Sequence, residues 1–103
     1  MTQAREARTP HGRFVVVAFD ITDDRRRRRF ARGLTAFGVR TQFSVFECVV
    51  RGPDRLAFEQ FLAAGIDPEQ DRVSAYVICD ACRPRCEQLG APLQRLPDDW
   101  IVE

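Results

Sequence analysis

The sequence predicts an α+β domain built as strand, helix, strand, strand, helix, strand, and three observations carry that expectation. Apolar stretches of strand character run over Phe14–Phe19, Val39–Val50 and Val73–Cys79. Two amphipathic segments, Asp23–Gly38 and Asp54–Ala64, lie between them. At 103 residues with 45% hydrophobic side chains, the chain has material for one core, of a size at which dimerisation often adds buried surface.

Phe14–Phe19 is apolar without alternation, as in a central strand covered on both faces or closing a dimer. The first helix starts where Thr22 or Asp23 caps it, carries Asp23 and Asp24 at the positive end of its dipole, and stops at Gly38 as C′. Phe30, Leu34 and Phe37 at i, i+4 and i+7 form its core stripe. Val39–Val50 is long for one strand, so a bend or tight turn near Gln42–Ser44 is expected to divide it. Without that break, Phe43, Val45 and Val49 share one face, opposite Ser44, Phe46, Cys48 and Val50. Gly52-Pro53 ends the strand and starts the second helix, with Leu56, Phe58, Phe61 and Leu62 as its apolar residues. An acidic loop over Ile66–Arg72 leads to the last strand, followed by a short helical turn to Leu89 and extended scraps at Pro92–Leu96 and Trp100–Val102.

This order is the ferredoxin-like βαββαβ arrangement, an antiparallel sheet with both helices on one face. The other face needs a cover, and a second copy of the chain is the simplest one, which makes a homodimer the expected state. The expected organisation is a mobile N-terminal extension over residues 1–12 and one domain over 13–103, with the tail 92–103 docking on the partner subunit. The first twelve residues lack the apolar core of a secretion signal, and no apolar run approaches the roughly 20 residues of a membrane-spanning helix. The expected location is the cytoplasm.

Net charge is only +1, but residues 1–47 carry ten Arg against five acids and residues 48–103 six Arg against ten acids. One half is therefore basic, a distribution suited to steering a polyanion. All sixteen basic residues are Arg, which suits bidentate phosphate contacts but is also what a GC-rich genome gives.

The first strand delivers Asp20 at its end, and Arg25–Arg29 follow within five residues. A carboxylate beside a block of positive charge can hold a metal ion next to a phosphodiester; the plain alternative is an Asp that begins a turn. Five consecutive helical Arg point around the whole circumference, with Arg26 and Arg27 nearest the buried stripe and the others towards solvent. Cys79, Cys82 and Cys86 follow C-x-x-C-x-x-x-C with Cys48 as a fourth, a set for zinc or an iron–sulfur cluster, or else free buried thiols. His11 stands alone in the leader, and Trp100 reads as an anchor for the C-terminal tail.

Four blocks together resemble a known family. They are Val17-Ala18-Phe19-Asp20-Ile21-Thr22-Asp23-Asp24 followed by Arg; Gly38-Val39-Arg40 through Ser44-Val45-Phe46-Glu47-Cys48; Ile66-Asp67-Pro68 to Asp71-Arg72-Val73; and the Tyr76 strand leading to Cys79 and Cys82. The chain is similar over residues 13 to 90 to the CRISPR-associated protein two family, the small subunit of the spacer-acquisition complex. That resemblance implies a ferredoxin-like homodimer whose two Asp20 residues share Mg²⁺ (or Mn²⁺) at the two-fold axis. It further implies metal-dependent cleavage of single-stranded RNA or double-stranded DNA, and a partnership with dimers of the adaptation integrase, CRISPR-associated protein one. Carried over by position, Asp20 is the catalytic acid and metal ligand; Arg27, Arg29 and Arg40 contact nucleic acid; Phe19, Ser44 and Phe46 support the site. Phe19 stands where many members have Tyr, removing a hydroxyl from the site. A non-catalytic scaffold that grips duplex phosphate is the alternative reading, and a regulatory domain binding a ligand or metal through its cysteines is the third.

Overall fold

A computed structural model describes residues 12–91, and within them the expected elements appear in order. They are β1 (Arg13–Asp20), α1 (Asp24–Leu34), β2 (Gly38–Gln42), β3 (Val45–Val50), α2 (Arg55–Ala64) and β4 (Arg72–Ile78). Short 3₁₀ turns occupy Gly52–Asp54 and Arg83–Arg85. The sheet order is β2-β3-β1-β4 with every neighbouring pair antiparallel, which is the ferredoxin-like arrangement. The expected extension with His11 falls outside the described residues except for Gly12, and the tail 92–103 with Trp100 lies wholly outside them.

Strand period sorts the sheet into two faces. Val15, Val17 and Phe19 of β1 and Phe46, Cys48 and Val50 of β3 point to the helices and are buried. Phe30 and Leu34 of α1 and Phe58 of α2 close over them. The core is strongly aromatic: Phe19 meets Phe30 edge-on at 5.0 Å, Phe37 meets Phe58 edge-on at 5.0 Å, and Phe30 stacks on Phe61 at 5.2 Å. Val16, Ala18, Val45 and Val49 face the other way, half-buried and uncovered by either helix, beside an exposed Tyr76. The lack of alternation in β1 thus has its cause: the central strand is apolar on both sides of the sheet.

Four local expectations are corrected. The first helix ends at Leu34 with Thr35 as its cap, and Gly38 is the first residue of β2 rather than C′. Gly38 is a glycine because β3 passes too close for a side chain: a Cβ there would sit 2.0 Å from the Glu47 carbonyl oxygen and 2.6 Å from the Cys48 Cα. Gly38→Ala is therefore expected to lower stability by about 1–3 kcal/mol or more, read as the shift of the urea midpoint. The division of Val39–Val50 falls where expected, with Phe43 and Ser44 forming the turn. Because of that turn, Ser44 does not share a sheet face with Phe46, and Phe43 projects 66% exposed instead of lying with Val45 and Val49. On α2, Leu56 is 65% exposed while Phe58, Phe61 and Leu62 pack inward. The last strand is displaced by one residue, and its helix-side residues Ala75 and Val77 are exposed because α2 does not reach over this sheet edge.

Candidate functional site

Asp20 is the last residue of β1, exposed, on the sheet face that the helices leave open. Its carboxylate makes no hydrogen bond or ion pair with the described residues. Register sets its neighbours: Asp20 lies directly across from Arg72 on β4, so their side chains share that face. On the other side of β1 the Phe19 N–H donates to the Ser44 carbonyl at 3.0 Å, which brings the β2–β3 turn against the strand end. Phe19 itself points into the core, 5% exposed, and Phe46 lies beneath it at 1%, their rings 6.1 Å apart. Both hold the strand end by packing from the helix side. The absent Tyr hydroxyl would therefore have pointed into apolar surroundings.

The acids after Asp20 have other occupations. Asp23 caps α1, accepting from the Arg26 N–H at 2.8 Å, and this bond holds its carboxyl below the ordinary range. Asp24 pairs with Arg27 in the first turn. Among the described residues, no group of three or more His, Cys, Asp or Glu is arranged to hold a metal ion. One Asp20 is too few oxygens for a divalent cation; two brought together by a two-fold axis, with water and a substrate phosphate, fit what Mg²⁺ requires.

An ion pair between a buried carboxylate and a half-buried guanidinium fixes the geometry around this strand end. Asp71, its side chain fully excluded from solvent, accepts from Arg26 Nε at 2.6 Å and Arg26 Nη2 at 3.1 Å. It also accepts from the backbone N–H of Thr22 at 3.1 Å and of Asp67 at 2.8 Å. The Arg26 guanidinium, followed by those two amides, holds the Asp71 carboxyl far below the usual carboxylate range, and Asp71 in turn raises Arg26. One carboxylate thus ties the loop before β4 to the segment linking Asp20 to α1.

The arginines divide by task. Arg26 is spent on Asp71. Arg27 donates to the Ile21 carbonyl at 3.1 Å and to Asp24, and lies 5.8 Å from the Phe43 ring. Arg29 is exposed. Arg40 projects from edge strand β2 on the helix side, over the rings of Phe46 at 5.5 Å and Phe43 at 5.7 Å. With Arg28 and Arg32, one turn apart on α1, it lines an open cleft of about 380 Å³ completed, among the described residues, by Ala31, Thr35 and Phe46. Arg28 and Arg32 are the residues that reading the Arg run alone misses. Their i, i+4 spacing marks a common helix face, but only the packing of α1 beside β2 shows that Arg40 joins them.

A model of the family described as CRISPR associated protein Cas2 matches residues 13–86. The chain belongs to the Cas2 family. It is 38% identical over 94 residues to a protein of Rhodospirillum rubrum named CRISPR-associated endoribonuclease Cas2 4, covering 90% of this chain and 75% of that one. Among solved structures, a hypothetical protein of Thermus thermophilus superposes with a TM-score of 0.69 at 32% identity, covering 80% of this chain and 95% of that one. Streptococcus pyogenes Cas2 superposes with a TM-score of 0.66 at 29% identity, covering 75% and 99%.

The cysteines of this Cas2-family chain depart from the expected buried set. All four are free thiols, but only Cys48 is buried. Cys79, Cys82 and Cys86 are exposed, on the turn that follows Ile78 where the chain leaves the sheet. Cys48 lies on the helix side of β3, with β1 between it and β4. Burial, assisted by Glu47, pushes its thiol up to about 12. An aromatic disulfide reagent at pH 8 is therefore expected to label the three exposed thiols of the folded protein promptly, and Cys48 only after denaturation.

Proposed function

We propose that this Cas2-family chain acts in the cytoplasm as the small subunit of CRISPR spacer acquisition, as a homodimer whose paired Asp20 carboxylates form a metal-dependent phosphodiesterase site. The observation that carries the reading is the position of Asp20. It is an exposed acid at the end of the central strand, on the apolar sheet face that a second copy would cover, with Arg72 beside it and Ser44 at the neighbouring turn. The names of its relatives support nuclease activity, and the uncovered face supports dimerisation. Mg²⁺ or Mn²⁺ held between the two Asp20 carboxylates would supply Lewis-acid stabilisation of the charge that develops on the phosphate. The Arg72 guanidinium is placed to orient a phosphate beside Asp20. Ser44 brings a hydroxyl to the same end of the sheet.

The test is cleavage of labelled single-stranded RNA and double-stranded DNA with Mg²⁺ or Mn²⁺, with and without EDTA, comparing the wild type with Asp20→Asn. Metal-dependent cutting lost in the variant supports the site. Absence of cutting on both substrates, with a dimer and nucleic-acid binding intact, overturns the catalytic reading.

A second reading rests on the arginine-lined cleft between α1 and β2. Here the chain is a scaffold that holds spacer DNA between integrase dimers, gripping phosphates without reading sequence. Each of Arg28→Ala, Arg32→Ala and Arg40→Ala is then expected to reduce the slope of log affinity against log salt by about 1. Arg27→Ala should change it less than Arg28→Ala or Arg32→Ala, since two of that guanidinium's donors are already engaged. Unchanged slopes in all three cleft variants would remove the cleft from the binding surface.

A further inference from the structure

We infer that Cys79 and Cys82 form a redox-active dithiol, a reversible disulfide site at the end of β4 that takes a low-molecular-weight disulfide as oxidant. Three exposed cysteines within eight residues of surface chain is an arrangement that packing does not explain, since free cysteines are ordinarily buried. The backbone between the first two is already closed. The N–H groups of Cys82 and Arg83 both donate to the Cys79 carbonyl, each at 3.0 Å, and the Arg85 N–H donates to the Cys82 carbonyl at 2.9 Å. A turn closed by an i to i+3 bond holds its end Cα atoms within about 7 Å, and disulfides bridge Cα atoms roughly 4.4–6.8 Å apart. Arg83 anchors this turn to the sheet, its guanidinium 5.2 Å over the Phe14 ring. The two thiols are thus held near bonding geometry by contacts that do not depend on the disulfide.

The two thiols also act on each other. The neighbouring Cys82 side chain, then the Cys82 and Ala81 backbone, hold the Cys79 thiol below the ordinary range. The Cys82 thiol is raised by the same contact. Cys86 is engaged differently: its Sγ lies 3.6 Å from the Cys82 carbonyl oxygen, as a thiol donor. The Cys79 thiolate attacks one sulfur of the small disulfide, forming a mixed disulfide and expelling one thiolate. Cys82 then loses its proton and attacks the Cys79 sulfur, closing the ring and expelling the second thiolate. In sum, one dithiol and one disulfide give the ring disulfide and two small thiols.

The test uses the full chain equilibrated in oxidised and reduced glutathione, quenched in acid, alkylated after denaturation and weighed intact. The wild type should change from four alkylations to two as the oxidised fraction rises. Cys86→Ser and Cys48→Ser, with three thiols each, should change from three to one. Cys79→Ser should keep all three of its thiols free, whereas Cys82→Ser should form no internal disulfide and should fall from three alkylations to two as a glutathione adduct accumulates on Cys79. In limiting iodoacetamide at pH 7, peptide mapping should find Cys79 modified about 10-fold faster than Cys86. The proposal is overturned by four alkylations in the wild type at every ratio, or by an internal disulfide that survives Cys79→Ser or Cys82→Ser.

Discussion

Asp71→Ala is expected to lower Tm by on the order of 10–20 °C at neutral pH, the largest stability loss for a residue away from the aromatic core. The alanine leaves Arg26 facing a vacated acceptor and strands the N–H groups of Thr22 and Asp67, which have that carboxylate as their partner. An unmet donor in a buried site costs more than a hydrogen bond contributes when made, so the loss exceeds that of an exposed ion pair. Its pH dependence has a definite sign. The Asp71 carboxyl is depressed in the folded protein, so its contribution is fully present above the unfolded carboxylate value, about 3.9. That contribution is lost as pH falls from there towards the folded value. The gap in Tm between wild type and Asp71→Ala should therefore be constant from pH 7 to about 5 and narrow towards pH 2. Thermal melts across that series check it. A variant melting within two or three degrees of the wild type at pH 7 would show that the network does not hold the fold.

For Asp20→Asn the expected result is the reverse: activity falls at least ~100-fold while Tm moves by no more than about 2 °C. Asparagine keeps the shape but removes the negative charge, and a hard divalent cation binds a neutral amide oxygen far more weakly than a carboxylate. In the proposed dimer, with one acid from each copy, the substitution would remove both carboxylates at once. Stability should hold because Asp20 is exposed and has no partner among the described residues. Cleavage rates at saturating Mg²⁺, beside melting curves and sedimentation of the same samples, separate the two effects. Residual cutting at wild-type rates, from a preparation cleared of contaminating nuclease, would take Asp20 out of the site.

How much of this was legible in the chain differs between elements. The helix Phe30/Leu34 stripe and the two-sided apolar run Phe14–Phe19 are local patterns, and both elements form where those patterns lie. Turn chemistry was weaker evidence. Gln42–Ser44 contains neither Gly nor Pro, yet the turn forms there because β2 and β3 must pair back on each other. The boundary at Gly38 was misread because a glycine required for close strand approach has the same letter as one required for a left-handed cap. Asp71 carried no signal of its own, since an acid in an acidic loop reads as solvated charge. Its burial depends on Arg26 arriving from α1, 45 residues earlier in the chain.

The candidate site divides along the same line. The order of elements, the acid at the end of β1, the uneven charge and the cysteine spacing are one-dimensional facts, and they were sufficient to name the fold and the family resemblance. Which face Asp20 occupies, and that Arg72 stands beside it, come from strand register between residues 52 positions apart. That Arg28 and Arg32 share a cleft with Arg40, while Arg26 and Arg27 are drawn inward, depends on how α1 lies beside β2. So does the contrast between inert Cys48 and its three exposed counterparts. Periodicity and propensity act over a few residues and are written in the chain; burial, pairing and electrostatic environment are set by neighbours that only folding brings together.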